Sequence, residues 1–186
     1  MLAICIAAGM AAFSLTTLRL LSKRKRPKGD PTTWFWQLGL ASLLLCSGIW
    51  MVGALVPRIA GEPYYSLTLG VLFFIGFAYS IVNGMLYKIV PFLLWFHLQK
   101  NVEAGRHRGV KLKEIISDRT ARGQFHVHTV ALSMLIAAIF LPSAFSRLAG
   151  AMFTASSLWL WINLAGAAWT YASMPCCGVN GRLQAS

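Results

Sequence analysis

Five stretches of this sequence, residues 2–18, 35–56, 67–96, 127–145 and 151–171, are almost continuously apolar. Each approaches or exceeds the roughly 20 apolar residues that a helix needs to cross a hydrocarbon core of about 30 Å. None shows an alternation of period two, and all are longer than the ~9–11 residues of a membrane barrel strand. Backbone N–H and C=O groups find no water in lipid, so a spanning segment of this kind closes its hydrogen bonds within itself as a helix. The expected fold is therefore all-α, a single transmembrane helix bundle of about five spans over residues 1–175. Composition closes the soluble alternative: 57% of the 186 residues are hydrophobic and 12% charged, against about 25% charged in an ordinary globular domain.

The connections predict how the chain is threaded. Residues 19–34 carry six positive charges (Arg19, Lys23, Arg24, Lys25, Arg26, Lys28) and one acid, Asp30. Residues 97–126 carry seven more, from Lys100 to Arg122, against Glu103, Glu114 and Asp118. The alternate connections hold only Arg58 with Glu62, and Arg147. The excess of Lys and Arg in short loops marks the cytoplasmic side. Both basic loops and the tail 176–186 are thus expected inside and the N-terminus outside. Trp34, Trp36, Trp95 and Trp169 are expected near the inner interface and Tyr64 and Tyr65 near the outer one, where amphipathic rings settle. The same basic excess, +12 overall, predicts contact with anionic lipids rather than nucleic acid. A short helix around 112–116 is the one element expected in the second loop.

The first span begins at Met1 with no basic n-region, which argues against a cleavable signal peptide. It reads like a chain cut from a longer one or one whose start is misassigned. Cys5 and Cys46 lie in apolar runs and Cys176 and Cys177 are adjacent, so no zinc or redox spacing is present. All four are expected to be free thiols.

The third stretch carries most of the chemistry. Thirty residues would make a helix of about 45 Å, and Pro91 withholds a backbone donor from the Tyr87 carbonyl. Two geometries follow. The helix tilts and kinks with Lys88 buried, or it spans residues 67–87 and residues 92–97 bend along the interface, so that Lys88 snorkels. Gly76, Ser80, Gly84 and Lys88 recur every four residues, beside a row containing Asn83 and Tyr87. Small residues at that spacing let helices approach closely, and Asn or Tyr can hydrogen-bond across the contact; the expectation is a packing or polar seam. A buried Lys88 would call for an anionic partner, such as a ligand carboxylate, a propionate or a group from another subunit.

His97 ends the third stretch, and His126 and His128 open the fourth, which places all three at the cytoplasmic interface. Imidazole ligates haem iron and copper, so these histidines, with Lys88 near a propionate, form a tentative cofactor site. Against it, alternate residues of a helix point about 200° apart. Asn163 is expected to bond a neighbouring helix. No carboxylate pair, nucleophilic triad or phosphate loop is legible.

Gly84-Met-Leu-Tyr-Lys-Ile-Val-Pro-Phe-Leu-Leu-Trp-Phe-His97, with Lys113-Glu-Ile-Ile and residues 119–124, resembles the C-terminal part of a group of bacterial multi-pass inner-membrane proteins. Those longer proteins look remotely like the catalytic subunit of haem-copper oxidases. The resemblance covers about residues 83–171 and implies a helical, oxidase-like accessory or truncated relative. The expected function is a non-enzymatic integral inner-membrane protein, with a haem- or copper-binding respiratory protein and a small transporter component as alternatives. A homo-oligomer or a second membrane subunit would be its partner in the bilayer.

Overall fold

The computed structural model describes residues 2–23, 31–103 and 118–172, and every regular element among them is helical. In chain order these are α1 (Leu2–Ser22), α2 (Pro31–Leu55), the short α3 (Pro57–Ala60) and α4 (Pro63–Gly70). A π-helical stretch (Val71–Tyr79), α5 (Ser80–Glu103), α6 (Asp118–Phe140) and α7 (Pro142–Ala172) follow among the described residues. Proline opens α2, α3, α4 and α7, the position where its missing N–H costs nothing and its fixed φ favours the first turn. Five helices are long and apolar enough to cross a membrane: Ile4–Ser22, Pro31–Leu55, Pro63–Leu94, Arg119–Phe140 and Pro142–Trp169. This is the length and composition of a multi-pass membrane protein.

The observed bounds differ from the apolar stretches in instructive ways. α6 begins at Asp118, well before the stretch expected at residue 127, because a charged first turn is no obstacle to a helix. α7 begins at Pro142, not at residue 151. The helical ladder ends where proline cannot donate and disfavours helical geometry in Leu141 before it. Arg147 consequently lies inside α7 rather than in a loop. Pro91 does not end the helix, since α5 continues through it to Glu103. The expected short helix at 112–116 and the cysteine pair 176–177 lie outside the described residues, whereas Cys5 and Cys46 are free thiols.

α1 packs on α2, α2 lies against the π-helical stretch and α5, and α6 and α7 form an antiparallel hairpin. α5 and α6 also run antiparallel. Tyr64 stacks on Phe140 at one end with centroids 6.1 Å apart, Ser80 meets His128 in the middle, and Tyr87 shares a cluster with Ala121 at the other end. Two glycines set the spacing of α2. A Cβ on Gly76 would lie 2.7 Å from Ser42, and one on Gly84 would lie 3.0 Å from Phe35, so any larger residue would push the helices apart.

The distribution of polarity is inverted relative to a water-soluble domain. Ser14, Ser42, Ser47, Ser80, Asn83, Gln124, His128 and Ser156 are buried, whereas Trp169 is 76% and Phe74 67% exposed. Apolar side chains facing outward have no reason to hide from lipid, and polar ones turn inward to find partners.

Candidate functional site: a polar seam inside the bundle

α5, α6 and α7 contribute polar residues to one interior seam. The π-helical stretch delivers Ser80 as the first residue of α5, and Ser80 Oγ lies 2.8 Å from His128 Nε2. The same hydroxyl is 3.4 Å from the carbonyl of Ile75, five residues back, the relation a π turn creates. If the hydroxyl proton goes to Ile75, the imidazole donates from Nε2; if it goes to His128, Nε2 accepts. In either case Nδ1 is left without a partner. The ring is fully buried, with the Tyr79 ring 5.4 Å and the Phe35 ring 6.0 Å away.

Two further bonds tie α5 and the preceding π-helical stretch to α7. Tyr79 Oη donates to Ser157 Oγ at 2.9 Å, and Asn163 Nδ2 donates to Tyr87 Oη at 2.8 Å. On α6, Gln124 stands one turn from His128, and its Nε2 reaches Ser156 Oγ at 3.5 Å, a long and weak contact. Asn83 stands one turn from Ser80 on the opposing helix. Because α5 and α6 are antiparallel, Asn83 and Gln124 sit at about the same height.

Four buried polar atoms of this seam have no hydrogen-bond partner: Asn83 Nδ2 and Oδ1, Gln124 Oε1 and His128 Nδ1. Leaving such a group unsatisfied costs about 1–3 kcal/mol, and native structures keep few of them without a reason such as water, an ion or a ligand. The depth is also unusual. His128 lies nine residues beyond Arg119, the start of its 22-residue candidate span, or about 14 Å along a helix, near the midpoint of that helix length.

These positions revise several expectations. His128 is in the interior rather than at an interface with His97 and His126, because α6 starts eight residues before His126. His126 is exposed and lies beside Trp34 and Phe125, at 6.3 and 5.7 Å, so the two histidines diverge around the helix. The side chain of His97 and all of His107 lie outside the described residues. Among the described residues no group of three or more His, Cys, Asp or Glu can hold one metal. His126 and His128 therefore do not converge on one ion, and the third member of the expected set, His97, has its side chain outside the described residues.

Lys88 also leaves the row in which it was placed. Gly76 and Gly84 press on α2 and Ser80 turns to His128, but Lys88 is exposed. A four-residue step exceeds the 3.6-residue turn by about 40°, and the drift from Ser80 to Lys88 carries the ammonium outward. It lines a groove of about 320 Å³ with Leu21, Thr32, Thr33, Trp36, Met85 and Ile89. Sequence reasoning missed Gln124, Ser156 and Ser157. The four-residue spacing of Gln124 and His128 was the available signal, hidden because Gln124 reads as part of a basic loop.

No protein-family model matches the chain, and neither a curated protein nor a solved structure matches it.

Proposed function

We propose that this chain is a non-enzymatic multi-pass protein of a bacterial inner membrane whose polar seam holds a small uncharged polar solute, as a small transporter component would. One observation carries the proposal: four unsatisfied polar atoms at the heart of a bundle whose exterior is apolar. Interhelical packing would pair such groups with one another, whereas buried polar atoms left without partners call for water or a ligand. The seam contains amides, hydroxyls, phenols and one imidazole but no Asp, Glu, Lys or Arg. An ion would find no opposite charge there, whereas a neutral solute would find both donors and acceptors. The basic loops support an orientation with the N-terminus outside and the C-terminus inside.

Reconstituted vesicles test this reading. Light scattering after an osmotic step with urea or glycerol should show faster solute entry than in protein-free vesicles, and Asn83→Leu and Gln124→Leu should abolish the difference while the helical signal is retained. Equal entry rates for wild-type and empty vesicles would reject the transport role.

A further inference from the structure

The groove around Lys88 is independent of the polar seam. It lies between α1, α2 and α5, which contribute Leu21, Thr32, Thr33, Trp36, Met85 and Ile89 to its lining. Its height follows from the antiparallel packing of α2 and α5. Gly76 faces Ser42, and a Cβ on Gly84 would lie 3.3 Å from the Thr32 carbonyl. Lys88, one turn beyond Gly84, is therefore level with the first turn of α2, which begins at Pro31. It also lies at the end of the bundle where α1 finishes with Arg19 in its last turn.

Pro31 is also where the apolar span of α2 starts, so this level is the end of an apolar length that would cross the hydrocarbon. A lysine there extends its stem along apolar surface and its ammonium toward phosphate depth. Thr33 adds a hydroxyl and Trp36 an indole of the kind enriched at membrane–water boundaries. Met85 is 41% exposed and, one turn back from Lys88 toward mid-span, prolongs the groove with Trp36 as an apolar wall. One end thus suits a phosphate and the other an acyl chain. A free phosphate would use only the first, and a neutral lipid would leave the ammonium without a counter-charge.

We infer that this groove is a discrete binding site for one anionic glycerophospholipid, with its phosphate on Lys88 and the Thr33 hydroxyl and an acyl chain along Met85 and Trp36. Basic pockets between membrane helices select such headgroups. The site goes beyond the general attraction of the basic loops, because selectivity resides in a single side chain at a fixed position.

The test is native mass spectrometry of the full chain released from nanodiscs of equal phosphatidylglycerol and phosphatidylcholine. The wild type should retain phosphatidylglycerol in preference to phosphatidylcholine. Lys88→Met should lower that preference about fivefold, equivalent to the ~1 kcal/mol of one basic residue near an anionic surface, and Lys88→Arg should keep it. Inorganic phosphate added before release should leave the retained lipid in place. A wild-type preference in Lys88→Met, no preference in the wild type, or displacement by inorganic phosphate would each overturn the lipid site. Lys88 is exposed, so the melting temperature of Lys88→Met should match the wild type and separate lost binding from lost fold.

Discussion

Asn83 and Lys88 are five residues apart on one helix, yet they occupy opposite environments. Asn83 is fully buried with both amide atoms unpartnered, and Lys88 opens into a surface groove. The one formal charge of this helix segment lies where its tip can leave the hydrocarbon. The interior receives only uncharged polar groups. The contrast shows how a membrane bundle sorts polarity: by whether a side chain can reach an interface, more than by how polar it is.

The sharpest way to break that contrast is to place a charge on the inner side. Asn83→Asp changes the volume little but confines a carboxylate among neutral groups, and should destabilise the bundle by about 3 kcal/mol, the cost of an acid at mid-span. Thermal unfolding in detergent would show a large loss, whereas Lys88→Glu should unfold near the wild-type temperature. Equal losses at both sites would erase the distinction. A packing test comes next. Gly76→Val should cost about 1–3 kcal/mol by overpacking against Ser42, read as a lower melting temperature.

Ser80→Ala removes the partner of His128 Nε2 and should cost about 1–2 kcal/mol by orphaning a second ring nitrogen. An unchanged melting temperature would mean that Ser80 does not anchor the imidazole. Tyr87→Phe leaves Asn163 without its acceptor, and a loss of about 0.6 kcal/mol is expected from the average interhelical hydrogen bond in a membrane protein. Lys88→Met should have the smallest effect on stability, below about 0.5 kcal/mol, as for surface substitutions generally.

The spans were legible because apolar runs of this length have few other uses. The close approach of Gly76 and Gly84 to α2 was legible for a related reason, since small residues one turn apart make a face that only another helix fills. The polar seam was not. Gln124 precedes the apolar part of its helix and reads as loop, and Ser156 and Ser157 are too common a pair to signal anything. Assigning His128 to an interface followed from starting α6 at its first apolar residue. Hydropathy locates where a helix is greasy, whereas capping and packing decide where it begins. The outward drift of Lys88 was calculable from helix geometry, but a pattern of every fourth residue conceals it.

The π-helical stretch, Val71–Tyr79, has no signature in its residues, yet it fixes the phase of everything that follows. Each residue advances an α-helix by about 100°. A one-codon deletion anywhere in that stretch would leave the hydropathy profile almost unchanged and the span still long enough to cross. It would nevertheless swing Ser80, Asn83 and Tyr87 together about a quarter-turn or more around the helix. The protein would still insert, with its interior chemistry turned out to the lipid.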